Sequence, residues 1–365
     1  MKIGFLINDL NAGGAERATV SLSNSFVQSG HNVEIITFRG AESFYPLDEK
    51  VSVKSAGFDE IEHTASLKRL LGTVKRMFAL RKLVKSSGVD VLIGMSFSMT
   101  WYAVFATAFT RIKSIGTERN NPYRYKASRF NTFMRKLFYH FCSGYIFQTQ
   151  KSAGFFTDKL KDTDIIIPNA IFNEMVYTLE PPESREKIIC AVGRLTAQKR
   201  FDVLIDAFKK IADRFPDYNL IIFGEGELRS ELEEQCRKLE LEKRIFLPGT
   251  NPQAVKVVNG ASAFVLSSDM EGMPNALMEA IAMGVPCVST RCEMGPEELI
   301  DNGMNGLLVE TGNAEQIAAA LFKIITDTDF AEKISENGRK MIKTHSIETI
   351  SEKWLDFIKK ITDCR

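Results

Sequence analysis

Residues 263–279 read Ala263-Phe264-Val265-Leu266-Ser267-Ser268-Asp269-Met270-Glu271-Gly272-Met273-Pro274-Asn275-Ala276-Leu277-Met278-Glu279. An apolar run, a polar loop and a helical run from Ala276 to Met283 form one strand, loop and helix, the repeating unit of a parallel sheet. Pro274 fits best as the first helical residue, where its fixed φ suits the helix and its missing N–H costs nothing. Glu271 then lies in the loop and Glu279 about a turn and a half into the helix, so the two do not share a helix face. Between them lie the free N–H groups of a helix N-terminus, a seat for an anionic phosphate. Carboxylates on either side accept from hydroxyls. Taken alone, the same residues also fit a plain capped helix with one acid favourable to its dipole.

The alternation extends in both directions. Strand-like runs stand at Lys2 to Asn8, Val33 to Phe38, Val89 to Met95, Ile112 to Thr117, Tyr145 to Gln150 and Ile165 to Ile167. Helical segments separate most of them, the stretch Val51 to Phe58 being the exception. Leu179-Glu180-Pro181-Pro182-Glu183-Ser184 reads as a linker, and the rhythm then restarts at Ile188 to Val192 and runs to the end. Two doubly wound α/β domains are expected, 1–180 and 181–346, with ligands at the carboxyl ends of the strands. The apolar spacing of Ile350, Trp354, Phe357, Ile358 and Ile361 predicts a final helix in 347–365.

A chain of 365 residues, 44% hydrophobic and 25% charged, is long enough for two cores. No apolar run approaches the roughly eighteen residues of a membrane span, and Ile3 to Ile7 is too short for a signal peptide; a cytoplasmic protein is expected. The six cysteines (Cys142, Cys190, Cys236, Cys287, Cys292 and Cys364) and the four histidines (His31, His63, His140 and His345) lack metal-ligand spacing. No metal is expected. Asp162-x-Asp164 and Asp327-x-Asp329 read as solvated acids at helix ends.

Charge is divided unevenly. Residues 1–180 hold 23 Lys and Arg against 16 Asp and Glu, and the remainder 24 against 30. The excess concentrates near 65–87, where Lys68, Arg69, Lys75, Arg76, Arg81, Lys82 and Lys85 alternate with apolar residues. It recurs near 123–141, where Arg124, Lys126, Arg129, Arg135 and Lys136 stand among Tyr123, Tyr125, Phe130, Phe133, Phe138 and Phe141. Both read as basic amphipathic helices suited to an anionic membrane surface. The balanced overall charge argues against nucleic acid.

Four stretches follow strands and carry site chemistry. Gly13 and Gly14 permit close backbone approach ahead of a helix, without the Gly-x-Gly-x-x-Gly of a dinucleotide site. Gly193-Arg194-Leu195-Thr196-Ala197-Gln198-Lys199 sets two cations by a helix start, where the dipole disfavours them unless an anion is bound. Gly224 and Gly226 make a third turn, and Glu271 to Glu279 the last. Together they describe a site for a diphosphate bearing hydroxylated groups.

These residues resemble the family 4 retaining glycosyltransferases of the GT-B fold, the bacterial polysaccharide and lipid-linked oligosaccharide type. The resemblance rests above all on Glu271-Gly272-Met273-Pro274-Asn275 to Glu279 with Gly284-Val285-Pro286 after it, and covers nearly the whole chain. It implies a clamshell of two Rossmann-like domains with an interdomain cleft, and a terminal helix crossing back to the first domain. It implies transfer of a sugar from a nucleotide sugar, a UDP-sugar, to a glycan or polyprenyl-diphosphate-linked acceptor at the inner face of the cell membrane, with no cofactor. Arg194 and Lys199 would hold the diphosphate, Glu271 the sugar hydroxyls and Glu279 the ribose. The amides after Gly272, in Met273, Asn275 and Ala276 beside Pro274, would receive sugar and phosphate; Gly13, Gly14, Gly193, Gly224 and Gly226 would line the donor. Retention in this family is ascribed to front-face attack with the leaving phosphate as base. Where relatives carry a histidine, this chain has Glu118 and Arg119, candidate acceptor contacts; Arg119 cannot shuttle a proton near neutral pH. A nucleotide-sugar epimerase on the same fold, or a silent binding partner in a glycan-assembly complex, would use many of the same residues.

Overall fold

The computed structural model describes residues 1–58, 66–119, 121–123 and 129–363, with side chains for all of these but 66–71 and 129–131. The sequence readings at His63, Asn120, Arg124, Tyr125, Lys126 and Cys364, and those on the side chains of Leu67, Lys68, Arg69, Leu70, Leu71, Arg129 and Phe130, lie outside the described residues. Contacts divide the chain into two units, Met1–Phe172 with Ile347–Arg365, and Asn173–Ser346. The division falls at Phe172, where composition pointed to Glu180. Asn259 donates to the Glu180 carbonyl at 2.8 Å and Arg339 reaches the Glu180 carboxylate at 3.6 Å, so the linker belongs to the second unit.

The first unit is built on seven parallel strands: β1 (Lys2–Ile7), β2 (Asn32–Thr37), β3 (Ser52–Ser55), β4 (Val91–Gly94), β5 (Lys113–Glu118), β6 (Gly144–Phe147) and β7 (Asp164–Ile166). Their order is β3-β2-β1-β4-β5-β6-β7. The stretch around Val51, without a helix of its own in the sequence reading, supplies the edge strand β3, in parallel register with β2. Most strand residues are buried, which is why these strands are near-continuous apolar runs and not alternating ones. The helix Ile347–Asp363 completes this unit: Trp354, Phe357, Ile358 and Ile361 share a core with Phe5, Leu22 and Phe26.

The second unit has six parallel strands: β8 (Glu186–Val192), β9 (Asn219–Phe223), β10 (Ile245–Gly249), β11 (Ala261–Leu266), β12 (Cys287–Thr290) and β13 (Leu307–Val309), ordered β10-β9-β8-β11-β12-β13. The helix Phe201–Ala212 buries Phe201, Leu204, Ile205, Phe208 and Ile211, the three-and-four spacing of one face. In each sheet the chain builds outward on one side of its first strand, then returns to that strand's other edge. The switch points therefore lie between β1 and β4 and between β8 and β11, where open sheets bind ligands.

The two acidic pairs have local roles. Asp327 accepts from Phe330 N–H at 3.0 Å and caps the helix Thr328–Arg339, and Asp164 accepts from the Tyr139 hydroxyl at 2.5 Å. Among the described residues no three His, Cys, Asp or Glu side chains group to hold a metal, and no helix is long and apolar enough to cross a membrane. The five described cysteines are free thiols.

Candidate functional site

The loops that leave β8 and β11 meet at the switch point of the second unit. After β8 the backbone runs through Gly193 and Arg194 into a single 3₁₀ turn, Ala197–Lys199, and Arg200 takes a left-handed conformation (φ 49°) before the next helix begins. After β11 it runs through Ser267 to Pro274 and into the helix Asn275–Ala282. Pro274 is the N-cap and not the first helical residue, one position from the sequence expectation. Its extended ψ of 105° leaves Asn275 to start the helix, with Glu279 as its fifth residue.

Hydrogen bonds stitch the two loops together. Asp269 N–H donates to the Gln198 carbonyl at 2.9 Å, Gln198 donates to the Met270 carbonyl at 2.7 Å, and the Ser267 hydroxyl donates to the Lys199 carbonyl at 2.7 Å. Arg200 adds an ion pair to Asp269 at 3.1 Å. The product of this stitching is one contact across 72 residues of sequence: Lys199 Nζ lies 2.5 Å from Glu271 Oε1, with side-chain exposures of 16% and 9%. Ser268 Oγ donates to the same oxygen at 2.6 Å, and the Thr290 hydroxyl holds the Ser268 carbonyl at 2.5 Å. Lys199 carries three N–H donors, so engaging Glu271 leaves it able to reach an anion as well.

Around this pair the glycines are sterically required. A side chain on Gly224 (φ 141°) would begin 1.9 Å from the Gly193 carbonyl, and one on Gly226 would begin 2.4 Å from the Leu195 carbonyl. These turns therefore pack backbone against backbone beneath Arg194. Gly295 (φ 80°) does the same for the Glu271 loop, since a side chain there would begin 2.1 Å from the Gly272 carbonyl. Arg194 is exposed and pairs with no carboxylate among the described residues. At the helix start, Met278 N–H bonds back to the Pro274 carbonyl; the amides of the first turn lie ahead of that bond, without intrahelical acceptors. Cys292, buried close by, is pushed up to about 12 by burial first and by the charge of Glu271 second.

The assembly sets the exposed Arg194 and the Lys199 ammonium beside a carboxylate oriented by two donors. Sequence reading located Arg194, Lys199, Glu271, Glu279 and the glycines, and the structure brings Lys199 and Glu271 into contact. It missed Ser268, and also Ser267, Thr290 and Gly295, whose contacts arise only once distant segments are neighbours. Ser268, three residues before Glu271 in one loop, carried the one local signal that could have been read.

In the first unit, Gly13 is the N-cap of the helix Gly14–Gln28 in extended conformation (φ −171°). The Glu16 carboxylate folds back over this start, so that a side chain on Gly13 would begin 2.1 Å from Glu16 Oε2. Burial first and Asp9 second raise the Glu16 pKa. An anion arriving at Gly13 and Gly14 would thus meet a carboxylate first. Arg119, at the end of β5, donates to Asn169 Oδ1 at 2.6 Å; desolvation pulls it down to about 10, with Glu16 opposing. Glu118 is placed otherwise than expected for an acceptor contact. It is fully buried and paired with buried Arg135 at 3.4 Å, inside the unit.

Both halves of the chain are similar to known proteins. Residues 12–171 match the model of Glycosyltransferase Family 4, and residues 180–341 that of glycosyl transferases group 1. The chain is 29% identical over 356 residues to an uncharacterized glycosyltransferase of Haemophilus influenzae, spanning 97% of this chain and 98% of that one. It is 28% identical over 365 residues, 99% of both chains, to a Campylobacter jejuni alpha-1,4-N-acetyl-D-galactosaminyltransferase acting on a GalNAc-GalNAc-diNAcBac-PP-undecaprenol. Among solved structures, Anabaena HepE in complex with UDP superposes with a TM-score of 0.80 at 18% identity, over 99% of this chain and 100% of that one.

Proposed function

The chain belongs to the glycosyltransferases, family 4 in its amino-terminal half and group 1 in its carboxy-terminal half, with the GT-B fold, and from that premise we propose that it transfers a sugar, with retention, from a UDP-sugar to a lipid-linked glycan. The observation that carries the donor half of this reading is the Lys199–Glu271 contact at the β8/β11 switch point, with exposed Arg194 and a helix start beside it. When the bond between the anomeric carbon and the diphosphate oxygen breaks, negative charge collects on the diphosphate. Arg194 and Lys199 stabilise that charge, and because they are in place beforehand no reorganisation is needed at the moment of reaction. The acceptor hydroxyl forms the new bond on the same face, and its proton passes to the departing phosphate oxygen. Glu271, oriented by Lys199 and Ser268, accepts from sugar hydroxyls; Glu279 accepts from the ribose.

With the Glu16 carboxylate folded over Gly13, Gly13 and Gly14 would contact hydroxyls of the donor and not its diphosphate, and Arg119 would contact the acceptor, while buried Glu118 is left out. The acceptor class is supported by the undecaprenyl-diphosphate substrate in the Campylobacter enzyme's name. The two basic helices would bring the protein to an anionic membrane at the inner face of the cell membrane, where such a lipid is presented. A melting-temperature panel of nucleotide sugars tests the donor, because a ligand bound to the folded state raises stability by mass action. A UDP-sugar is expected to give the largest rise; equal curves for all would remove the donor assignment. Labelled donor epimerised with no acceptor present would replace transfer with epimerisation.

A further inference from the structure

Lys199 ends a 3₁₀ turn and Phe201 begins a helix, and the chain changes direction between them in one residue, Arg200. Arg200 stands at φ 49° and ψ 43°, one of three non-glycine residues with a positive φ among the described residues. Glycine adopts that conformation freely, whereas any side chain there brings its Cβ toward the following carbonyl. A long charged residue in this place therefore calls for a reason beyond the turn. The turn itself separates two neighbours. Phe201 enters the core at 4% exposure, while Lys199, whose Cε would lie 3.1 Å from a side chain on Gly193, runs to Glu271.

The Arg200 guanidinium holds two carboxylates at once. Its Nε and Nη2 donate to the two oxygens of Asp202, each at 3.1 Å, and its Nη1 reaches both oxygens of Asp269 at 3.1 and 3.2 Å. Asp202 lies in the first turn of the helix Phe201–Ala212, where an acid suits the dipole. Asp269 lies in the loop after β11, two residues before Glu271. One fork thus ties a helix anchored in the core to the loop whose carboxylate is assigned above to the sugar. A lysine would offer a single nitrogen in place of this planar fork. The loop after β13 closes in as well, since a side chain on Gly312 would begin 3.6 Å from Nη1.

Three further hydrogen bonds join the loops after β8 and β11, each accepted by a backbone carbonyl: Asp269 N–H to Gln198, Gln198 to Met270, and Ser267 to Lys199. Arg200 adds a charged link next to them. It adjoins Lys199 on one side of the pairing, and its partner Asp269 stands two residues from Glu271 on the other. Any slack between Arg200 and Asp269 is therefore passed along short segments of backbone to the 2.5 Å contact of Lys199 with Glu271.

We propose that Arg200 is a positioning residue for the Lys199–Glu271 pair, its left-handed backbone being the geometry in which one fork reaches Asp202 and Asp269 together. The proposal rests on the transfer reading above and adds to it the device that keeps the pair in place before the donor binds. Arg200→Gly keeps the left-handed turn and removes the fork, and Asp269→Asn keeps the shape of its partner and removes the charge. The test measures UDP release from a UDP-sugar, with a polyprenyl-diphosphate-linked glycan as acceptor, for each variant and for the double variant. Hydrogen exchange of the backbone amides in 267–272 is measured on the same proteins without substrate.

Each single variant is expected to lower kcat roughly tenfold, inside the roughly 100-fold cost of a 1 Å misplacement, with donor KM rising by less than kcat falls. The double variant should fall no further than the singles, because both remove the same interaction. A residue that merely supported the fold would lower the melting temperature and leave the kcat of the folded enzyme unchanged. Exchange in 267–272 should quicken several-fold in Arg200→Gly while the amides of β8 and β11 keep their rates. Single variants as fast as the unsubstituted chain, a double variant slower by about 100-fold, the product of independent effects, or unchanged exchange in 267–272 would each overturn the role. Because exchange needs no substrate, an unsubstituted chain that releases no UDP would count against the transfer reading alone, and exchange would still decide the role of Arg200.

Discussion

At the residue scale the chemistry converges on Glu271 Oε1, which takes both Lys199 and Ser268. A carboxylate held by two donors on one oxygen presents its other oxygen in a fixed direction, which is what a hydroxyl acceptor in a binding site needs. Glu271→Gln and Lys199→Gln should each lower turnover about 100- to 1000-fold, the range for removal of a pre-placed electrostatic group, read from initial rates with saturating donor. Arg194→Ala should do the same while leaving the melting temperature unchanged, because its side chain is exposed. Ser268→Ala removes one hydrogen bond of about 1 kcal/mol, so a roughly fivefold loss in kcat/KM is expected. An unchanged value would remove Ser268 from the site. The motif Glu271 to Glu279 was legible in the sequence as chemistry; its partner was not, because a contact across 72 residues exists only when β8 and β11 are adjacent. Glu118 shows the converse. The resemblance made it a candidate acceptor contact, yet Arg135, one helix further on, pairs with it and both are buried.

Among the elements, those legible from pattern were the ones with an unbroken period. The parallel strands and the helix Asn275–Ala282 fall within a few residues of their sequence expectations. Boundaries set by long-range bonds did not read out: the Pro-Pro linker is tied to the second unit through Glu180, and no composition signal records that. Two substitutions test how the elements hold the site. Gly295→Ala puts a side chain 2.1 Å from the Gly272 carbonyl at a φ of 80°, and should cost about 1–3 kcal/mol and raise donor KM, because the Glu271 loop must move. Trp354→Ala, in the helix that closes the first unit's core, should cost about 3–5 kcal/mol, read from chemical denaturation. A loss below 1 kcal/mol would mean that this helix does not share that core.

For the molecule as a whole, buried thiols predict the alkaline limit of its stability. Burial pushes Cys142, Cys190 and Cys292 up to about 12 and Cys236 up to about 11, from an ordinary value near 9. Their contribution to stability is fully present below pH 9. As pH rises from 9 through 12 the unfolded chain releases these protons while the folded chain retains them, so stability falls across that window. The melting temperature should decline progressively above pH 9, and a flat profile to pH 11 would contradict the buried thiols.

The central claim is tested most directly by UDP release from a UDP-sugar, measured with and without a polyprenyl-diphosphate-linked glycan, for the unsubstituted chain and for Glu271→Gln. The account predicts release that requires the acceptor and drops at least about 100-fold in the variant. Acceptor-independent release, or release that the variant leaves intact, would contradict it.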